Sequence, residues 1–490
     1  MKSAVGVVLA AAALLAYAGE FKLGSSFVHI HEQYHYFLGA RYFRELGYAN
    51  LYRCSIVAED EIGAIDTVTP NGLARHVDLT AEARDPERTL RNIDGDNRLV
   101  RVRDMGVLED ARACKEQFSP ERWQAFKTDV LFFRVAAGRE AFERMQQDHG
   151  FNATPTWILL GHALASIGPA SIQHLQRLAL VDVTYLVGMF AAIAWAFGWR
   201  VAGVAAITWG SQAPANFEWT GGAFLRQDWL FFLVFSMCLA RRRRFAAAGA
   251  SLTYASMLRV FPALIAAGWA VVICAELWRH RRLARAHRSV LLGALVALAV
   301  LVPASTMVCG KEAWAGFAHR TLVVHERTWT SNLMGLGVAV VHPFSMRLED
   351  VANGETVAQA DPWKADRAAQ FQRLRIVAYG LGAAGLLLFA WVARRTKSLW
   401  VAGCLAQSLV VFLARVACYY YGFLVLAALL TRERRALEFP LFASLALTQL
   451  VALRFDWVDD RYAALSALVT ALSFLLLWTF RRSRGRVSAQ

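Results

Sequence analysis

Apolar residues in this chain form long uninterrupted runs, and polar residues fall in short clusters between them. Runs occur at 4–19, 178–198, 201–215, 227–240, 245–258, 260–278, 289–308, 375–393, 399–413, 416–430, 438–453 and 463–480. About 20 apolar residues in a helix span the hydrocarbon core of a bilayer. The pattern predicts an all-α polytopic membrane protein, a bundle of about 12 transmembrane helices. Cytoplasmic loops collect Lys and Arg. The clusters Arg241–Arg244, Arg279–Arg288, Arg394–Lys397, Arg432–Arg435 and Arg481–Arg486 all fall inside if the twelve runs alternate, which also puts both termini inside.

This threading divides the chain into a first transmembrane helix (1–19), an extracytoplasmic loop with interfacial helices (20–154) and core transmembrane helices (177–308). A second extracytoplasmic loop (309–373), C-terminal transmembrane helices (374–480) and a cytoplasmic tail (481–490) follow. The apolar stretch Thr156–Ile167 is short and lies between Pro155 and Pro169. Counting it as a crossing would turn Arg241–Arg244 outward, so 155–169 is expected to be re-entrant or interfacial. The start, Met1-Lys2 with an apolar run to Ala18, has the form of a signal peptide, down to a small-residue site at Ala16-Tyr17-Ala18. A retained helix is expected, because the later crossings need an anchor.

Composition agrees: 57% of the 490 residues are hydrophobic and only 19% charged. The net charge of +15 comes from basic residues at membrane exits, where they set orientation and meet anionic headgroups. Nucleic acid is therefore not an expected partner; membrane lipids are. Of seven cysteines, Cys238, Cys274, Cys309, Cys404 and Cys418 sit in or beside apolar runs. Cys54 and Cys114 share the first outside loop, an oxidising compartment in which they can pair.

The stretch from Phe27 to Gly47 carries the most chemistry. Tyr36, Phe37, Ala40, Phe43 and Leu46 recur at helical spacing, predicting an amphipathic helix along the outer membrane surface. Glu32 lies at its start, where the helix dipole favours a carboxylate, and Gly47 ends it. His31, Glu32 and His35 also spell H-E-x-x-H, the spacing at which two histidines can hold zinc beside a glutamate. Glu59 or Glu61 would have to supply the third ligand. That spelling keeps a membrane zinc metalloprotease open as an alternative. A transporter or flippase-like carrier is a second alternative, which calls for charges at mid-membrane depth and paired broken helices; Asp182 is the main buried-looking acid.

Several short motifs resemble those of membrane-embedded glycosyltransferases that use polyprenol-phosphate sugars, the GT-C superfamily, and most closely glycosyltransferase family 87. They are Glu32, Tyr34-His35-Tyr36, Gly39-Ala40, Gly47 and Leu51-Tyr52 in the first loop, then the Pro-bounded helix at 155–169. Further along come Gly221-Gly222-Ala223-Phe224-Leu225-Arg226-Gln227-Asp228, Arg259 shortly before Pro262, and Thr330-Ser331-Asn332-Leu333-Met334-Gly335. Three features depart from the family pattern: Glu for the commoner Asp, Arg for Lys before Pro262, and an unusually long first loop through residues 53–150.

The resemblance implies a GT-C-like bundle and transfer of a hexose or pentose, mannose or arabinose, from a polyprenyl-phosphate donor to a glycan or lipid acceptor on the outer face. Such chemistry asks for a base, for which Glu32 is the catalytic candidate, its pKa raised by apolar surroundings. It asks also for cations on the donor phosphate, for which Arg226 and Arg259 are best placed. Asp228, His31, His35, Arg327, Asn332 and Arg415 complete the substrate-binding candidates, and Arg415 suits an aromatic belt with Tyr419-Tyr420-Tyr421 equally well. His319, Arg320, His325, Glu326 and Arg327 form a patch that can face the acceptor. No cofactor is firmly expected; a divalent cation at Glu59-Asp60-Glu61 is possible.

Overall fold

The computed structural model describes residues 3–18, 27–68, 74–94, 97–325, 328–351 and 361–481. Each of the twelve apolar runs coincides with helical structure. Six helices are long and apolar enough to cross a bilayer: Ile172–Phe197, Pro262–His280, Arg285–Cys309, Asp361–Ala393, Arg435–Arg454 and Val458–Phe480. Their outward faces carry large bare side chains, among them Leu295, Val300, Ile376, Leu387 and Leu453. A chain dissolved in water would bury such a belt, whereas lipid covers it at no cost. The chain is membrane-embedded. The remaining apolar helices are shorter, as in Ser3–Ala18, Trp199–Ser211, Asp228–Arg241 and Phe245–Leu258. Six spans, rather than twelve, are thus supported by length and composition.

Asp228–Arg241 lies between Ile172–Phe197 and Phe245–Leu258, which packs in turn on Arg285–Cys309. At that last crossing a Cβ on Gly249 would stand 2.1 Å from the Val290 carbonyl oxygen, and one on Gly293 only 1.9 Å from that of Ala246. Backbones in lipid gain contact by approaching this closely, through small residues. Ser3–Ala18 packs on Trp199–Ser211.

The inserted segment after the first helix folds as a subdomain. Leu51–Ile62, Pro120–Ala137 and Arg139–Gln146 surround a core that includes Tyr34, Tyr52, Phe133 and Phe142. Two antiparallel hairpins, Ala64–Val68 with Ala74–Asp78 and Thr89–Arg91 with Leu99–Arg101, decorate it. A disulfide joins Cys54 to Cys114. Inside, Arg88 is bonded to Glu59, Glu143 and Gln146.

This subdomain changes the setting of the helix that carries Glu32. Ile30–Arg41 was expected on the membrane surface with one face wet; instead Gln33 to Ala40 are buried all round. Helices of the subdomain cover one side and Pro155–Ala165 the other. The apolar stripe supplies three of these eight buried residues, Tyr36, Phe37 and Ala40. Its polar side is sealed because Gln33 and His35 find partners in other segments. Pro155–Ala165 itself has 11 residues, about 16 Å of helix and roughly half the hydrocarbon thickness.

The segment between Arg285–Cys309 and Asp361–Ala393 is anchored by Leu333–Met334, which pairs antiparallel with Val416–Ala417. Asp361–Ala393 is one continuous helix of 33 residues, so its polar first turns stand beyond the apolar run that starts at 375. A buried network fastens them: Arg367 donates to Asp459 at 3.0 Å and to His342 at 2.6 Å, and Asp460 accepts from His342 and pairs with Arg347.

Candidate functional site

Three chain segments meet around Glu32. Asn, Asp, Ser and Thr are the usual N-caps; here His29 serves, its Nδ1 accepting from the Glu32 N–H at 3.3 Å. That places Glu32 in the first turn. The turn Gly221–Gln227 then comes alongside. The carbonyl of Gly222 accepts from the His29 N–H at 3.0 Å and from Gln33 Nε2 at 3.3 Å. Trp157 of Pro155–Ala165 donates its indole N–H to the Leu225 carbonyl at 3.1 Å. From the membrane side, Asp182 accepts from the backbone N–H groups of Arg226 and Gln227 at 2.8 and 2.9 Å. The buried acid singled out at 182 is therefore a structural clamp on the turn that presents Arg226.

Gly222 is held at φ +72°, and a Cβ there would lie 1.8 Å from the Phe27 carbonyl oxygen. Gly222→Ala is expected to force the 27–29 strand off this turn and cost about 1–3 kcal/mol, read as a lowered thermal unfolding midpoint in detergent. An unchanged midpoint would contradict this close approach.

Arg226 meets Glu32 directly, Nη2 to Oε2, at 2.5 Å. Its guanidinium stacks on Tyr36 at 4.9 Å and on Tyr419 at 4.6 Å, and Nη1 reaches the Tyr36 hydroxyl at 3.4 Å. Burial works against ionisation of Glu32, but Arg226, His29 and His31 more than offset it and hold the carboxyl below its usual range. The expected upward shift from apolar surroundings is thus reversed, chiefly by the Arg226 guanidinium.

Arg259 lies at the other end of the same cluster, where Phe245–Leu258 gives way to Pro262–His280. It is 7% exposed. Nη1 donates to the Leu258 carbonyl at 2.8 Å, while Nε and Nη2 are buried with no hydrogen-bond partner among the described residues. A buried guanidinium with two unsatisfied donors is costly unless something anionic or polar meets it. Beside it lies a cavity of about 470 Å³, walled by Phe261, Tyr419, Tyr420, Arg415 and Asn152 among others. Tyr36 links the two ends: its hydroxyl donates to Asn152 Oδ1 at 2.8 Å. An apolar groove of about 290 Å³ adjoins this cavity, sharing Thr154, Val260, Ala263 and Phe317, and runs between Met257 and Leu298, Val302 and Trp314.

The other sequence candidates divide. Asp228 starts its own helix, its Oδ1 accepting from the Trp229 N–H at 2.7 Å, and it is Glu32 that pairs with Arg226. Arg415 lines the cavity with its guanidinium between Trp329 (4.6 Å) and Phe371 (4.3 Å), so belt and cavity wall are one place. Asn332 is a turn residue: Oδ1 accepts from Thr330 and its carbonyl from the Cys418 N–H. Arg327 lies outside the described residues, as does Glu326. Arg320, expected in an acceptor-facing patch, is instead buried and donates to the carbonyls of Ile93 and His149. It fastens the segment after Arg285–Cys309 to the subdomain that follows the first helix.

His31 and His35 face the subdomain. His31 Nε2 lies 3.0 Å from Asp148 Oδ2. His35 Nδ1 is 2.8 Å from the His31 carbonyl oxygen, and Nε2 is 2.8 Å from the Tyr52 hydroxyl. Neither Glu59 nor Glu61 supplies a third ligand: Glu59 is buried on Arg88, and Glu61 pairs with Lys115 and Lys127. Asp60 is taken by Arg84. The acidic triplet at 59–61 is thus split among three sets of cations. Asp148 and Asn152 were missed by sequence reasoning, since each meets the 30–41 helix only through the fold of the subdomain. No family model, curated protein or solved structure matches this chain.

Proposed function

We propose that this chain is a membrane glycosyltransferase moving a sugar, mannose or arabinose, from a polyprenyl-phosphate donor to a hydroxyl of a glycan or lipid acceptor. A GT-C-like bundle of twelve crossings with the basic clusters inside would open this site on the outer face. One observation carries the reading: a carboxylate and two buried guanidiniums gather around an aromatic cluster, and one of them, Arg259, lines a cavity that continues into an apolar groove of a lipid-embedded bundle.

Each part has a task. The free Nε and Nη2 of Arg259 bind donor phosphate oxygens, and Arg226 lies next along the cluster. The polyprenyl chain leaves sideways through the groove between Met257 and Leu298. Glu32 accepts the proton as the acceptor oxygen bonds to the anomeric carbon. The bond from that carbon to the phosphate oxygen breaks, and its electron pair leaves with polyprenyl phosphate, whose charge the arginines offset. A phosphate on the arginines also relieves their pull on Glu32, raising its proton affinity when the base is needed. The two acids that the metalloprotease alternative named as third ligand are paired elsewhere, Glu59 with Arg88 and Glu61 with Lys115 and Lys127.

Donor placement is testable by photocrosslinking. A photoreactive polyprenyl phosphate is expected to label 256–264 and 298–317, and unlabelled polyprenyl phosphate should compete. Labelling confined to other helices, with no competition, would count against this groove as the donor's path.

A further inference from the structure

We propose that His31, His35 and Asp148 form a zinc-class metal site that clamps the inserted subdomain to the helix carrying Glu32. The inference stands apart from sugar transfer and would survive its failure. One ligand atom from each of the three residues lies within 4.8 Å of the other two. Zinc–ligand bonds of about 2 Å put tetrahedral neighbours roughly 3.4 Å apart. His31 and Asp148 already stand at 3.0 Å, and the two imidazole centroids are 5.0 Å apart, so side-chain rotations of about 1 Å bring the set to bonding geometry.

The chemistry of the donors fits a metal of this class. Two imidazoles and one carboxylate are borderline ligands that suit zinc over calcium or magnesium. Both ring nitrogens of His35 lie against a backbone carbonyl, Nδ1 at 2.8 Å from that of His31 and Nε2 at 3.1 Å from that of Met145; ligation through Nε2 requires the tautomer with the proton on Nδ1, the nitrogen with the shorter carbonyl contact. A ligating histidine is commonly oriented by such a bond from its other nitrogen to a backbone carbonyl. Nε2 also lies 2.8 Å from the Tyr52 hydroxyl, which accepts from the Gly150 N–H; a metal on Nε2 would displace both the tyrosine and the Met145 carbonyl contacts. Asp148 and His31 are half exposed, so an ion can reach them. The Lys364 ammonium is tied to Asp361 and does not occupy Asp148.

Place in the chain explains what the clamp does. Asp148 closes the inserted subdomain and lies just before Asn152, which bonds Tyr36 and lines the cavity. Metal here would fix that junction against the turn of helix that presents Glu32. The role proposed is structural: Glu32 of the H-E-x-x-H spelling pairs with Arg226 and is not among the ligands.

The test uses the full chain, purified in detergent, stripped with a chelator and titrated with zinc against a chromophoric competitor. One zinc per chain is expected, with affinity reduced by ~10–100-fold or more in Asp148→Asn and His35→Ala. His76→Ala, on an outlying hairpin, should bind as wild type does. Asp148→Asn keeps the shape of the side chain, so it reports on ligation even if His35→Ala fails to fold. Cobalt added to the wild type should give the intense visible bands of a tetrahedral site. Zinc should raise the wild-type melting temperature and leave that of Asp148→Asn unmoved. No stoichiometric uptake by the wild type, or full uptake by Asp148→Asn, would overturn the site. Neither readout involves a sugar donor.

Discussion

Glu32→Gln is expected to lower sugar transfer by about 10²–10⁴-fold, the usual contribution of a positioned general base, with little change in donor binding. Glutamine keeps the length of the side chain and an oxygen that can accept from Arg226, now 2.5 Å away. It removes the proton acceptor and the negative charge. Because Arg226 also stacks on Tyr36 and Tyr419, the cluster should stay assembled. The signature is therefore a fall in kcat at nearly constant KM for the lipid-linked sugar. A variant retaining a tenth or more of wild-type turnover would remove Glu32 from the chemistry.

Arg259→Ala is the second large effect, and it separates function from stability. Two of its nitrogens have no partner among the described residues, so in the free protein this side chain costs more than an ordinary buried arginine. Its removal takes away a desolvated charge, though it also deprives nearby Asp228 of a cation. These terms oppose, and the melting temperature should stay near wild type. Donor turnover should fall by ~10²–10³-fold in kcat/KM, the scale of losing one preorganised charge partner of a leaving group. Arg259→Lys should recover part of it, since lysine keeps the charge without the two-point fork. Full activity in Arg259→Ala would show that the orphaned nitrogens serve no phosphate. Arg226 suits this comparison less, because its loss would strand Glu32 unpaired in a buried place.

Much of the architecture was legible because lipid imposes a simple rule: a helix in hydrocarbon must be apolar over its length. That rule located each helical run, and proline punctuation with charge parity marked 155–169 as distinct. It fails to count crossings where helices are short. Phe245–Leu258 has 14 residues and Trp199–Ser211 has 13, each below the length at which composition alone identifies a span. The Cys54–Cys114 pairing was open on compartment alone; geometry closes it through the fold of the subdomain.

For the site, the residue types were readable and their partners were not. Glu32, Arg226 and Arg259 are far apart in sequence, yet each sits at the end or start of a helix, where turn signals are strong. The direction of the Glu32 shift could not be read, because it depends on Arg226 standing within bonding distance. Asn332 and Asp228 have near partners that the sequence did not announce: Asn332 Oδ1 accepts from the Thr330 hydroxyl, and Asp228 Oδ1 from the Trp229 N–H. Asp148 and Asn152 carry no local pattern, since their meaning comes from what the folded insertion brings them against.

The central claim is that the acid–arginine cluster transfers sugar from a lipid phosphate. It is tested most directly by incubating purified wild-type protein with radiolabelled polyprenyl-phosphate mannose or arabinose and a broad set of glycan and lipid acceptors. Label should move to one acceptor class with release of polyprenyl phosphate, and Glu32→Gln should abolish the transfer. A wild-type protein that consumes no lipid-linked sugar across the set would contradict the account.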